Sequence, residues 1–222
     1  VPEAGKVRVE TAAGAEAIEA DRIILATGSV PVNIPAFPFD GQTVISSTEA
    51  LCLGEIPSSM VIIGGGVIGC EMACIYATVG TKVTIVEALD SLLPFEDDWV
   101  GALLAKEFKK LGITSMTSQK VSGVDAAGGQ ATVRLESGET LAADRVLVAV
   151  GRRATCDAET LQGLGLETAG AVVKVNRKME TNVPGVYAIG DLVGTTYLAH
   201  GAFQEAEVAA ANATGRSEEM GD

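Results

Sequence analysis

The chain has 222 residues, of which 47% are hydrophobic and 20% charged, a composition typical of a globular protein with one large or two small domains. Its net charge is −13 and no basic cluster stands out, so nucleic acid and anionic membranes are not expected partners, because both bind Lys and Arg patches. The longest apolar runs have the length of a strand, so no membrane span is predicted. The cysteines show no metal-ligand spacing and no signal peptide is visible, so we predict no metal site and a cytoplasmic location.

The first predicted elements, in residues 7–28, recur later in the chain. Residues 7–28 and 133–151 each contain a strand, a turn, a short strand, Ala-Asp-Arg and a buried strand that ends in glycine. The corresponding residues are Asp21 and Asp144, Arg22 and Arg145, and Gly28 and Gly151. Because a whole structural unit is repeated, we expect the two copies to close two folds of the same type.

The segment VIIGGGVIGCEMA, residues 61–73, indicates a nucleotide site. Residues 60–63 predict a short buried strand, and a helix is predicted over residues 67–79, ending at Gly80. The glycines of the G-x-G-x-x-G motif between them are Gly64, Gly66 and Gly69. In this motif the first glycine permits a tight turn, the second lets a pyrophosphate approach the backbone, and the third lets the helix pack on the strand. The positive end of the helix would face the phosphates.

The strand KVTIVE follows this helix and ends at Glu87. An acid at this place accepts hydrogen bonds from the hydroxyls of the adenosine ribose. It also repels a 2′-phosphate, and the following segment EALDSLL contains no Arg that would hold one. The site is therefore predicted to bind NAD rather than NADP.

The elements after Glu87 complete the nucleotide-binding unit. A helix is predicted over residues 97–111, with acids at its start and a stop at Gly112. Short strands joined by the turns AAGG and SGET follow, and the buried strand DRVLVAVG ends at Gly151. We therefore predict an α/β, Rossmann-like domain with a parallel sheet and a β-hairpin layer.

Residues 182–191, NVPGVYAIGD, predict another buried strand after the NAD unit, which makes the NAD unit appear inserted into a second domain. Asp191 at its end either bonds the ribityl hydroxyls of a flavin or simply opens a loop. His200, the only histidine, is more typical of a helix start than of a base. The expected domains are a partial second nucleotide-binding domain in residues 1–50 and 156–222, the latter including a linker, interrupted by an NAD-binding domain in residues 51–155.

The motifs ATGS, GGGVIGCE, VGRR and YAIGD…LAH, in this order, resemble the pyridine nucleotide–disulfide oxidoreductases. The resemblance covers essentially the whole chain. Within that family GRR, AIGD, LAH and Glu87 are most similar to the dihydrolipoyl dehydrogenases.

The resemblance implies that the partial domain in residues 1–50 and 156–222 is an FAD-binding domain. It also implies two groups of cofactor contacts. The residues implied to hold NAD are Gly64, Gly65, Gly66, Val67, Ile68, Gly69, Glu87, Val121 and Gly151. Those implied to touch FAD are Thr27, Gly28, Ser29, Asp191, Tyr197, Leu198, Ala199 and His200. The last four would present the N–H groups of a helix start to the flavin pyrimidine edge, where negative charge grows on reduction. Glu71 is implied to lie beside the flavin as a helper, and an exposed helix glutamate is the alternative.

Several features of the family are missing from this sequence. They are the reactive cysteine pair, the N-terminal FAD glycine motif and the C-terminal dimerisation domain with its His–Glu base. We therefore expect a central fragment that holds no catalytic residue, binds NAD and does not retain FAD. The resemblance implies a homodimeric parent that moves electrons from dihydrolipoyl groups through a disulfide and FAD to NAD, within a 2-oxo acid dehydrogenase or glycine cleavage system. The alternatives are an NAD-binding module without chemistry, or a related NADH oxidase or transhydrogenase.

Overall fold

A computed structural model describes residues 1–221. The helices are α1 (Ser47–Ala50), α2 (Val67–Thr78), α3 (Asp98–Lys110), α4 (Ala158–Leu164) and α5 (Ala199–Ala213). The first eight strands are β1 (Lys6–Thr11), β2 (Gly14–Glu19), β3 (Ile23–Leu25), β4 (Ser29–Pro31), β5 (Val44–Ile45), β6 (Ser59–Ile63), β7 (Lys82–Val86) and β8 (Thr114–Met116). The others are β9 (Val121–Ala127), β10 (Gln130–Leu135), β11 (Thr140–Ala143), β12 (Arg145–Val148), β13 (Arg152–Ala154), β14 (Thr168–Ala169), β15 (Val172–Val173) and β16 (Val186–Ala188).

The chain divides into two compact units. The first, here the core unit, is Pro31–Arg152, and the second, the split unit, consists of Val1–Val30 together with residues 153 onwards. The core unit begins earlier than the boundary at residue 51 expected from the motifs. The reason is that Phe37, Val44 and Ile45 are buried in its hydrophobic clusters. The sequence around them is broken by Pro and Gly and therefore resembles a linker.

A five-stranded parallel sheet forms the centre of the core unit, in the order β5-β12-β6-β7-β8. Its strands are apolar on both faces because both faces are covered, as is typical of parallel sheets. Along β6, Met60 and Ile62 pack with buried residues of α2 and with Phe108 of α3. Val61 and Ile63 pack instead against the antiparallel layer β11-β10-β9. The α/β fold with a parallel sheet and a hairpin layer is therefore as predicted.

The split unit joins residues from both ends of the chain. β3 pairs in parallel with β16, in the register Ile23 with Val186 and Leu25 with Ala188. β1 and β2 form an antiparallel hairpin before β3. Two buried clusters, one around Leu192 and one around Val208, support this pair of strands.

The repeat seen in the sequence has a structural counterpart in each unit. The antiparallel pair β1–β2 precedes β3 in the split unit, and β10–β11 precedes β12 in the core unit. In both copies an Arg guanidinium bonds the carbonyl oxygen of the Asp before it, at 2.8 Å for Arg22 and Asp21 and 2.7 Å for Arg145 and Asp144. The shared Asp-Arg pair thus has the same local role twice.

Within residues 1–221, no helix is both long and apolar enough to cross a membrane. The same residues contain no cluster of three or more His, Cys, Asp or Glu side chains that could hold a metal ion.

Candidate nucleotide site

The turn between β6 and α2, residues 64–66, is here called the glycine loop. Gly64 has a φ of +111°, and a Cβ at this position would collide with the backbone carbonyl of Ala149. A Cβ on Gly69, in the first turns of α2, would collide with the carbonyl oxygen of Gly64. The tight turn and the close helix packing expected of these two glycines are therefore both present in the structure.

Gly66 differs from these glycines because the space beside it is open. No heavy atom of the protein lies within 4 Å of where its Cβ would be. Gly66 is also the N-cap residue of α2, and no side chain caps that helix end. The N-terminus of a helix with uncapped N–H groups favours an anion. The geometry thus leaves room for a phosphate where the motif predicts one.

Glu87 follows β7 and lies directly beside the glycine loop. Its side chain is buried, with a relative exposure of 8%. One carboxylate oxygen accepts the N–H of Gly65 at 2.6 Å, and the other accepts the N–H of Leu89 at 2.8 Å. The sequence predicts the position of Glu87 beside the loop, but these two backbone contacts are not apparent from it.

The remaining residues implied for NAD surround this loop less closely. Val67 is exposed and Ile68 half-buried in the first turn of α2. Val121, half-buried at the start of β9, follows Gln119, whose N–H donates to the carbonyl oxygen of Glu87 at 2.9 Å. Gly151 is exposed with a φ of +123°. Glu71 is an exposed residue of α2.

Four of the residues implied for FAD form hydrogen bonds within the split unit. The hydroxyl of Ser29 donates to the carboxylate of Asp191, which lies in a short 3-10 turn after β16. The hydroxyl of Thr27 donates to the carbonyl oxygen of Thr155, and the N–H of Thr155 donates to the carbonyl oxygen of Gly28. Ser29 and Asp191 thus lie within hydrogen-bond distance of each other.

The segment from Tyr197 to His200 lies at the start of α5. All four of its residues are exposed, and Tyr197 has a φ of +53°. Leu198 is the N-cap residue, and the helix end has no side-chain cap. His200 lies in the first turn of the helix, where the sequence places it.

Glu205 is a residue of this region that the motifs do not reveal. It lies on α5, is only 2% exposed, and accepts the N–H of Gly190 at 2.6 Å. Gly190 directly precedes Asp191, so Glu205 ties α5 to the turn that carries the aspartate. The signal in the sequence is its spacing: Val208, Ala209 and Asn212 follow at helical intervals and are also buried.

Cys70, in the first turns of α2, is chemically protected. Burial, followed by the nearby Cys74, Glu87 and Glu71, raises the pKa of the Cys70 thiol to about 12. We expect a thiol reagent at about pH 8 to label the exposed Cys52 and to spare Cys70 until the protein unfolds. Above pH 9.0 the thiol ionises in the unfolded chain but stays protonated in the folded protein. The free energy of unfolding is therefore not reduced by this group below pH 9.0, and it falls as the pH rises toward 12. Equal labelling rates in the folded protein would contradict this expectation.

Comparison with known proteins places nearly the whole chain in one protein family. The profile of the family described as "Pyridine nucleotide-disulphide oxidoreductase" matches residues 1–211. The chain is 42% identical over 212 residues to a dihydrolipoyl dehydrogenase of Bacillus subtilis, covering 95% of this chain and 46% of that protein. It is 41% identical over 204 residues to the dihydrolipoyl dehydrogenase of Chlorobaculum tepidum, covering 90% and 44%. The chain thus spans about half the length of these relatives.

Solved structures agree with this placement. LpdA from Mycobacterium tuberculosis matches with a TM-score of 0.89 and 26% identity, over 97% of this chain and 48% of that one. The HOCl-induced flavoprotein disulfide reductase RclA from Escherichia coli matches with a TM-score of 0.88 and 26% identity, over 99% and 50%.

Proposed function

Because the chain belongs to the pyridine nucleotide-disulphide oxidoreductase family, we propose that the core unit is an NAD-binding domain inserted into part of an FAD-binding domain. The split unit supplies that part. The discontinuity of the split unit supports the proposal, since both of its segments contribute a strand to one parallel pair. The repeat supports it as well, because each unit carries the same hairpin followed by a buried strand.

The glycine loop is the observation that carries this proposal. Gly64 and Gly69 are required by close backbone contacts, whereas Gly66 is next to open space. At this position of the motif, the open space beside Gly66 fits a ligand that approaches the backbone. The pyrophosphate of NAD would lie there, bonded by the N–H groups at the start of α2. Glu87 would accept hydroxyls of the adenosine ribose with the remaining lone pairs of its carboxylate.

In the split unit, the same family membership supports FAD contacts by Thr27, Gly28, Ser29 and Asp191. The carboxylate of Asp191, already held by Ser29, would bond the ribityl chain. The exposed N–H groups at the start of α5, from Tyr197 to His200, would stabilise negative charge on the flavin ring.

For the longer protein we propose the activity named in its relatives, that of a dihydrolipoyl dehydrogenase. Electrons would pass from dihydrolipoyl groups through a disulfide and FAD to NAD, in a homodimer that serves a 2-oxo acid dehydrogenase or glycine cleavage system. The similarity to disulfide reductases keeps another enzyme of the family as the second candidate. A Cys-x4-Cys pair upstream and a His-x4-Glu pair downstream in the gene would favour the first.

NAD should bind more tightly than NADP, because a 2′-phosphate would approach the carboxylate of Glu87. Repulsion between two imperfectly screened negative charges costs about 1–3 kcal/mol. Glu87→Gln removes this charge and should bring the two dissociation constants close together. Fluorescence titration of the chain with NADH and NADPH measures both. Asp90→Asn, which removes an exposed acid of the same segment, serves as the control and should keep the preference. A preference that survives in Glu87→Gln would contradict the assignment.

The 222-residue chain by itself should neither retain FAD nor oxidise dihydrolipoamide. Its split unit supplies the ribityl and ring-edge contacts, but residues 1–30 and 153–221 hold no glycine motif that could bind the flavin pyrophosphate. Each lost charge-assisted hydrogen bond removes roughly 1.5–3 kcal/mol. Dihydrolipoamide oxidation also needs a reactive pair of cysteines. Chain purified with excess FAD and then desalted should be colourless, whereas an absorbance band at about 450 nm and turnover would overturn this part of the proposal.

The remaining alternative is a nucleotide-binding module without chemistry of its own. It would show the same NAD preference, so binding data do not separate it from the enzyme fragment. The sequence of the complete gene separates the two, because the gene of such a module would lack the cysteine pair and the C-terminal His–Glu base.

A further inference from the structure

We propose that Glu87 fixes the glycine loop in its binding conformation before any nucleotide arrives. This positioning role rests on the proposed NAD site and is separate from a contact with the ribose. The two carboxylate oxygens of Glu87 hold the N–H groups of Gly65 and Leu89 at 2.6 and 2.8 Å. The carboxylate therefore links the loop to the segment that follows β7.

The segment that follows β7 also binds the carbonyl group of Gly65. The N–H of Leu93 donates to the carbonyl oxygen of Gly65 at 2.8 Å. The thiol of Cys70 approaches this oxygen at 3.3 Å. Gly65 is thus bonded through its N–H group by Glu87 and through its carbonyl by Leu93, and both partners lie within seven residues of each other.

The surroundings of Gly65 leave no room for a side chain at this position. A Cβ on Gly65 would lie 2.7 Å from the Leu92 side chain and 3.1 Å from the Cβ of Glu87. Leu92 is itself buried, with a relative exposure of 1%. The middle glycine is therefore enclosed by residues 87–93, whereas its neighbour Gly66 is open to a ligand.

Removing the Glu87 carboxylate would leave the buried N–H of Gly65 without its acceptor. The loop would then populate other conformations, and a nucleotide would bind only the competent fraction, which weakens its apparent affinity by that fraction. This loss does not depend on ribose hydroxyls. A ligand that lacks them should therefore still bind less tightly to the variant.

The test is a thermodynamic cycle with ADP and 2′,3′-dideoxy-ADP as probes, titrated calorimetrically into the chain and into Glu87→Ala. We expect the variant to bind dideoxy-ADP about 10-fold more weakly than the unmodified chain does, and to lose more than that for ADP. Equal affinities of the two proteins for dideoxy-ADP, with a loss for ADP alone, would overturn the positioning role and leave the proposed NAD site standing. Asp90→Ala, in the same segment, is the matched control and should bind both probes normally.

Amide hydrogen exchange in the ligand-free chain gives an independent readout. In Glu87→Ala the amides of Gly65 and Leu89 should exchange about 10-fold faster, while those of Ile62 and Ile85 in the sheet stay protected. Unchanged exchange at Gly65 would overturn the proposal. Glu87→Gln retains the size of the side chain and one acceptor, and replaces the alanine variant if that variant does not fold. If neither probe binds the unmodified chain, the proposed NAD site fails, and the exchange rates alone decide whether Glu87 holds the loop.

Discussion

Gly66→Ala is expected to abolish NAD binding while the chain remains folded. The backbone at Gly66 has φ −73° and ψ −176°, which alanine adopts readily, and its Cβ would meet no protein atom within 4 Å. The free energy of unfolding should therefore change by less than about 1 kcal/mol, the usual difference between N-cap residues of this kind. The added methyl group would occupy the space proposed for the pyrophosphate. Losing several charge-assisted hydrogen bonds, roughly 1.5–3 kcal/mol each, weakens binding by about 100-fold or more.

NADH fluorescence titration and urea unfolding of the same protein preparation measure the two effects of Gly66→Ala separately. A variant that binds NADH as the unmodified chain does would show that the open space is not the phosphate site. A variant that unfolds would show instead that Gly66 has a structural role that its surroundings do not reveal.

Gly69→Ala should reduce both stability and NAD affinity. Alanine favours a helix over glycine by about 1 kcal/mol, so propensity alone predicts stabilisation. The Cβ would, however, collide with the carbonyl oxygen of Gly64, a backbone atom that no rotamer change can move aside. Overpacking of this kind costs about 1–3 kcal/mol, and we expect it to outweigh the gain in propensity. Displacement of α2 from β6 would also move the N–H groups that are proposed to hold the phosphates.

Urea unfolding of Gly69→Ala beside Gly66→Ala compares the same chemical change at two positions three residues apart. Gly69→Ala should be the less stable of the two variants. If Gly69→Ala were equal to or more stable than the unmodified chain, the close contact between α2 and the glycine loop would be wrong.

The sequence predicts the nucleotide loop well because the motif is local. Its three glycines, the strand before them and the helix after them are neighbours along the chain, and the observed helix Val67–Thr78 ends one residue before the predicted end. The position of Glu87 also follows from a fixed spacing across one strand–helix–strand unit. Local periodicity and turn chemistry therefore suffice for these elements.

Other features depend on contacts between residues that are far apart in the sequence, so sequence patterns do not predict them. Phe37 is buried in a cluster with residues of the parallel sheet, and Val44 lies in the edge strand β5 of that sheet, although both stand in a segment rich in Pro and Gly. Glu205 looks like a solvent-exposed residue of an Ala-rich helix until its bond to Gly190 is seen. The bond from Gly65 to Glu87 likewise joins two residues that only the folded sheet brings together.

Mapping of backbone amide shifts by NMR, during titration of the chain with NAD, tests the central claim most directly. We expect saturable shifts that are largest at Gly66, Val67 and Ile68 and are accompanied by shifts at Glu87. Absence of saturable shifts, or shifts centred away from the glycine loop, would contradict the assignment of the core unit as an NAD-binding domain.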